Sequence, residues 1–244
     1  MRYFFRVEYD GTRFGGWQRQ PNALSIQELL ENAFSIALRS QINVTGAGRT
    51  DAGVHAKAQG VHFDFDGEIE LRKCELSVNA LLPSEIAIYR LQKVDNNFHA
   101  RFSAVNRRYK YQMCFRKRPL FNKRVWMIYY EIDFEKIRDN LRFITGIHDF
   151  AVFCASGSDT ESTICNVRKV SLENEGDLLV FTIEADRFIY KMVRSIVGTL
   201  MDIGRGKINS TMAEIIECKD RIRAGNTAPP FGLILEQVDY PGVD

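Results

Sequence analysis

The sequence predicts an α+β fold. Strand-like and helix-like segments interleave without the strict β-α-β alternation that builds a parallel sheet, and a two-strand hairpin is signalled within residues 167–186. Amphipathic helices with recognisable caps stand between the strands. A length of 244 residues suffices for one large domain or two modest lobes.

The elements follow in order. Arg2 to Tyr9 (RYFFRVEY) is β-rich with partial alternation and reads as a strand, and Asp10 to Asn22 is glycine-studded, polar and too flexible for regular structure. Ser25 with Glu28 three residues on forms a capping box. Ile26, Leu29, Leu30, Ala33, Phe34 and Ala37 then trace one face of a helix reaching about Arg39. A short strand near Val44 leads into a glycine loop, GAGRTDAGVHA (Gly46 to Ala56), and Gly60 to Phe65 alternates as a strand. Leu71 to Leu82 suggests a helix stopped by Pro83, and Ile86 to Val94 a further strand. Arg107 to Phe115 alternates as a long strand, and helical periodicity resumes over Asp133 to Phe143. The hairpin turns at Asn-Glu-Gly-Asp, residues 174–177. Ile189, Met192, Val193, Ile196, Leu200 and Ile203 mark a helix ending at Gly204. Ser210 to Lys219 is a shorter helix, and Leu233 to Tyr240 a closing strand.

Composition removes several classes of function. Five widely spaced cysteines, without a CxxC pair, indicate neither a disulfide framework nor a zinc site. No apolar run reaches membrane length and the N-terminal residues lack a signal-like apolar core, so a reducing cytoplasm is the expected location. The net charge of +2 hides a strong asymmetry. Between Asn96 and Tyr130 there is no Asp or Glu but nine Lys and Arg, leaving 24 basic against 31 acidic residues elsewhere. Aromatic residues such as Phe102, Tyr109, Tyr111 and Trp126 interleave with these cations. Cations neutralise phosphates and aromatic faces stack on unpaired bases, which suits single-stranded or loop RNA. A cationic surface hairpin whose aromatics face the core is the other reading.

The glycine loop is where chemistry is expected. It lacks the GKS or GKT ending of a phosphate cradle, and Asp51 stands where a dinucleotide fingerprint needs glycine. What remains is Arg49, Thr50 and Asp51 between two glycines. A carboxylate beside a guanidinium stays ionised and can act as nucleophile or base; an Asp capping a turn, with Arg49 as a surface pair, is the structural alternative. His55, His62, His99 and His148 show no metal spacing, and no Ser or Cys occupies a nucleophile elbow. Arg194 lies on the helical face shared with Lys191 and Asp202, either solvated or serving as an internal counter-ion.

GAGRTDAGVHA resembles the signature of the TruA-type tRNA pseudouridine synthases, in which the Asp after Arg-Thr is catalytic. The likeness continues through VEYDGTRFGGWQRQ (Val7 to Gln20), NALLPSEI (Asn79 to Ile86), FHARFSA (Phe98 to Ala104) and RRYKY (Arg107 to Tyr111). GIHDFAVF (Gly146 to Phe153), FIYKMVRSIVGTL (Phe188 to Leu200) and APPFGL (Ala228 to Leu233) complete it. Collinear motifs over nearly the whole chain are far more specific than a single glycine loop.

The resemblance implies a pseudouridine synthase fold of two α/β lobes sharing a mainly antiparallel sheet, with the active site in a central cleft. Residues 1–103 would form the lobe carrying the Asp loop and 104–244 the lobe completing the cleft. It implies isomerisation of uridine to pseudouridine on the 3′ side of the anticodon loop of tRNA and the adjoining stem, by a homodimer using no cofactor or metal. Asp51 would be the catalytic carboxylate and Arg49 would help displace the target base. Tyr109 would stack on the uracil and assist removal of its C5 proton, Arg194 would pair with the catalytic Asp51, and Leu233 would line the uracil pocket. Arg107, Arg108 and Lys110 would contact the RNA. Two rivals stand beside this reading: a non-catalytic RNA-binding or chaperone protein, and a carboxylate-dependent hydrolase of an N-glycosidic bond.

Overall fold

A computed structural model of the chain describes residues 1–155, 157 and 160–243. Its elements run β1 (Arg2–Tyr9), α1 (Ile26–Leu38), β2 (Val44–Gly46), β3 (His55–Asp64), α2 (Leu71–Leu81), β4 (Ile86–Val94), β5 (Asn106–Cys114) and β6 (Trp126–Met127). They continue α3 (Phe134–Leu141), β7 (Gly146–Asp149), β8 (Ile164–Glu175), β9 (Leu178–Ala185), α4 (Met192–Gly204), α5 (Met212–Cys218) and β10 (Leu233–Asp239). The chain divides into two compact units, one made of Met1–Val105 with Ile234–Asp244 and the other of Asn106–Leu233. The mixture of elements and the prevalence of antiparallel pairing are those of an α+β protein.

In the first unit β1 is central, antiparallel to β3 on one side (Phe4↔His62) and to β4 on the other (Val7↔Ile88). The outer edge of β3 is shared: β2 pairs with its second half (Val44↔Phe63), and β10 runs parallel to its start (Ile234↔His55). That parallel pairing puts residues 234–244 with the first unit, whereas the sequence reading grouped them with the second lobe. Helix α1 forms because Ser25 accepts from the Glu28 amide at 3.3 Å and because Ile26, Leu30, Ala33 and Phe34 make one buried face. Phe34 packs on Phe63 (centroids 4.7 Å apart) and Phe5 (4.9 Å) at the centre of the core. The expected capping box is only half made, because the Glu28 carboxylate turns to Arg19 at 3.6 Å.

In the second unit β5, β9, β8 and β7 pair antiparallel in that order, and β6 adds parallel to β5. Glu175↔Leu178 closes the hairpin, so Asn174 and Glu175 belong to strand β8 and the turn tightens to Gly176 and Asp177. Buried Asn140, near the end of α3, accepts from the Met212 amide at 2.7 Å and so ties α3 to the start of α5. Helix α4 begins at Met192, three residues later than the periodicity suggests, because Lys191 adopts a left-handed backbone (φ 61°). Every residue of α4 except the half-buried Arg194 is buried, including Ser195, Thr199 and Asp202.

Candidate active site

The Gly46–Val54 loop joins β2 to β3 and is held from several sides. The Ala47 amide donates to Gly60 O at 2.8 Å, and Gln59, fully buried, donates its side-chain amide to Gly48 O at 2.6 Å. Thr50 is buried; its hydroxyl is 2.7 Å from that of Tyr9, and its carbonyl accepts from the Trp17 amide at 3.0 Å. The Val54 amide closes the turn on Asp51 O at 3.1 Å. Asp51 itself is half-buried and Arg49 is exposed. The carboxylate therefore stands on a backbone whose donors and acceptors are fixed on both sides of it.

The glycine-studded stretch after β1 supplies much of that fixing, and its expected flexibility is not what the structure shows. Gly11–Arg13 form a 3-10 turn with the Asp10 side chain accepting from the Thr12 amide at 3.0 Å. Gly16 has φ +103°, and a Cβ there would lie 2.6 Å from Thr50 O, so only glycine allows the close approach to the Asp51 loop. Gly16 O and Trp17 O in turn accept from the Ile26 and Gln27 amides at 3.1 and 3.0 Å, capping the start of α1. One stretch of chain thus braces the candidate catalytic loop against a helix terminus. His55 is buried and its Nδ1 accepts from the Gly11 amide at 3.1 Å, a structural role.

In the second unit the pleat of β5 separates the residues proposed for RNA contact. Arg107 and Tyr109 share a face with Tyr111, opposite Ala185, Ile183 and Phe181, which are all buried. Tyr109 meets Phe188 edge-on at 5.1 Å. Arg107 Nη1 donates to Asp186 O at 2.5 Å. Arg108 and Lys110 point to the other face, where they pair with Glu184 at 2.9 Å and Glu175 at 2.7 Å. The same pairing recurs at Arg116 and Arg118, which both reach Asp177, at 2.7 and 2.8 Å. Much of the positive charge in the basic block is therefore answered by carboxylates of β8, β9 and their turn. The Glu184 and Asp177 carboxyls are accordingly held below the usual range, first by hydrogen bonds from Arg108 and Arg116.

Arg194 is tied to the Ala228–Leu233 motif rather than left to solvent. Its Nε donates to Ala228 O at 2.8 Å, and the Ala228 amide donates to Arg194 O at 3.0 Å. Gly198, one helical turn on, lets this segment approach: a Cβ there would lie 1.7 Å from Asn226 O. Asp202 Oδ2 accepts from the Asn226 amide at 3.1 Å. Tyr111 donates its hydroxyl to Pro229 O at 2.8 Å, and burial raises that phenol far above its ordinary pKa. Leu233 follows a 3-10 turn at Pro230–Gly232 and is buried. Tyr111, expected among the aromatics that could stack on bases, is instead fully buried, on the same face of β5 as Tyr109. Arg194, Tyr111 and Leu233 are organised by one segment of the second unit, and Arg49 and Asp51 by one loop of the first.

Among the described residues, no group of three His, Cys, Asp or Glu side chains is placed to hold a metal ion, and no helix is long and apolar enough to cross a membrane. The family model described as tRNA pseudouridine synthase matches residues 6–103 and 142–241. That span includes Arg49, Asp51, Arg194 and Leu233, while Arg107 to Lys110 lie between the matched segments. The chain belongs to the tRNA pseudouridine synthase family. It is 41% identical to the tRNA pseudouridine synthase A of Bacteroides thetaiotaomicron over 99% of this chain and 91% of that one. Against the protein of the same name from Bacteroides fragilis the identity is 42%, over 99% and 97% of the two chains. With that from Parabacteroides distasonis it is 40%, over 98% and 96%. A chain from the crystal structure of a Cbf5-Nop10-Gar1 complex aligns at a TM-score of 0.38 and 13% identity, covering 82% of this chain and 45% of that one, too slight a likeness to bear on function.

Proposed function

We propose that this protein isomerises uridine to pseudouridine in the anticodon stem-loop of tRNA, with Asp51 as the reacting carboxylate. The observation that carries the proposal is the braced Gly46–Val54 loop, which presents a half-buried Asp51 from a backbone locked through Thr50, Gly48 and Val54. Full-length likeness to proteins named tRNA pseudouridine synthase A supports the substrate and the reaction. The chemistry breaks the bond from N1 of uracil to C1′ of ribose, turns the base and joins C5 to C1′; C5 gives up its proton to solvent and N1 takes one up, so the product is an isomer of the substrate. It is balanced within one nucleotide, so a single anionic side chain suffices and no redox partner is consumed.

Arg49, exposed beside Asp51, is suited to hold the space vacated by the displaced base. Tyr109 is the residue proposed to stack on the uracil, Leu233 to line its pocket, and Arg194 to act as the cation of the site. Arg107, Arg108 and Lys110 are proposed as phosphate contacts, Arg108 and Lys110 from positions where they also pair with Glu184 and Glu175. The protein is further proposed to work as a homodimer in the cytoplasm, and light scattering of the purified protein tests the dimer.

Release of tritium from C5-labelled uridine in a tRNA transcript tests the reaction. Wild type is expected to release tritium and leave the labelled nucleotide in the RNA. Binding without release would support the non-catalytic reading, and free uracil in the supernatant would support the hydrolase.

A further inference from the structure

Three rings in the first unit form a ladder from the interior to the surface. His62 is buried, and its Nδ1 accepts from the Ala100 amide at 3.1 Å. The His99 ring lies 4.8 Å from it, and the Phe102 ring 4.4 Å from His99 at an interplanar angle of 35°. The outermost ring, Phe102, is 75% exposed, with the Arg101 guanidinium over it at 5.5 Å.

A single exposed phenylalanine is ordinary and by itself says nothing. What distinguishes Phe102 is that the turn carrying it is fixed. His99 Nδ1 accepts from the Arg101 and Phe102 amides at 3.1 and 3.4 Å. Ser103 Oγ accepts from the His99 amide at 2.9 Å, and the Ser103 amide donates to His99 O at 2.8 Å. The ring is thus backed by a second ring and held on a rigid turn, so covering it with a planar ligand costs little further ordering. The charges around it favour an anion. Within the first unit, residues 97–105 carry Arg101 and no Asp or Glu, Asp95 caps the Asn97 amide at 2.8 Å, and Asp64 is paired with Arg2 at 2.7 Å. A planar group joined to an anionic backbone is an unpaired nucleotide.

We propose that Phe102, with Arg101 beside it, is a stacking platform for an unpaired base of the bound tRNA other than the target uridine. The identity of the RNA rests on the function proposed above. Base-to-aromatic stacking measured by truncation predicts that Phe102→Ala weakens tRNA binding about tenfold, while Phe102→Tyr, which keeps the ring, binds as wild type does. The slope of binding against salt should be unchanged in Phe102→Ala and shallower in Arg101→Gln, since only the second loses a phosphate contact. Fluorescence anisotropy with labelled tRNA transcript at several salt concentrations reads both. Unchanged affinity in Phe102→Ala overturns the proposal, and so does a fall in the mass of the free protein by light scattering, which would make Phe102 a contact between copies. Tritium release at saturating RNA separates the two claims: a wild type that binds through Phe102 but releases no tritium keeps the platform and removes the isomerase.

Discussion

Several residues around the Asp51 loop and in the second unit act by holding others in place. Gly16→Ala places a methyl group 2.6 Å from Thr50 O at a backbone angle that alanine resists, so the Asp51 loop must shift. The expected outcome is a fall in kcat larger than any change in affinity for RNA, read from single-turnover and binding measurements. Tyr111→Phe removes the donor to Pro229 O inside the second unit and should cost about 1 kcal/mol in urea unfolding. His62 carries a prediction about pH. Burial, then the positive charge of Arg2 and His99, bring its imidazole from the usual 6.5 to about 4, with Asp64 opposing. Between those values the unfolded chain binds the proton and the folded chain does not, so stability is full above pH 6.5 and declines as pH falls toward 4. Urea midpoints across that range should fall more steeply in wild type than in His62→Gln. Asp51, Arg49 and the loop that carries them were legible in the sequence as Arg-Thr-Asp between glycines. Their braces, Tyr9, Trp17 and Gln59, were not, because each acts through one contact distant in sequence.

Among the elements, hydrophobic periodicity located the five helices and most strands but not the short β6 and β7, which are too brief to show a period, nor the first residues of β3, which the glycine loop was expected to hold; other departures have local causes. The start of α4 moved because Lys191 takes a left-handed backbone, a property that apolar spacing does not encode. The capping box expected at Ser25 and Glu28 lost its second half to the Arg19 ion pair. A complete one stands at Thr211 and Glu214, with the Thr211 hydroxyl accepting at 3.3 Å and the Glu214 carboxylate accepting from the Thr211 amide at 2.8 Å. Thr211→Ala should therefore destabilise the protein by about 1 kcal/mol, measured by chemical denaturation, whereas Glu28→Gln should change stability by a few tenths at most. Strand β5 shows the limit of reading charge along a sequence. The run of cations was visible, but the carboxylates that answer Arg108 and Lys110 come from residues 184 and 175, more than sixty positions away.

For the whole molecule, the arithmetic of charge changes meaning once the fold is known. The net +2 conceals a basic segment, yet several of its cations are paired within the second unit, so the number available to RNA is smaller than nine. Replacing Arg107, Arg108 and Lys110 together with Gln should weaken tRNA binding and flatten its salt dependence, read by titrations at several ionic strengths; an unchanged slope would place these side chains away from the RNA. Two units were legible as a possibility from length, but not the return of β10 to the first of them, which depends on a parallel pairing set by Ile234 and His55. The central claim is that one carboxylate, Asp51, carries out the isomerisation. Its most direct test is tritium release from C5-labelled uridine in tRNA by Asp51→Asn, a nearly isosteric change on a braced loop. Release is expected to be abolished while tRNA still binds; release at the wild-type rate would show that Asp51 is not the reacting group.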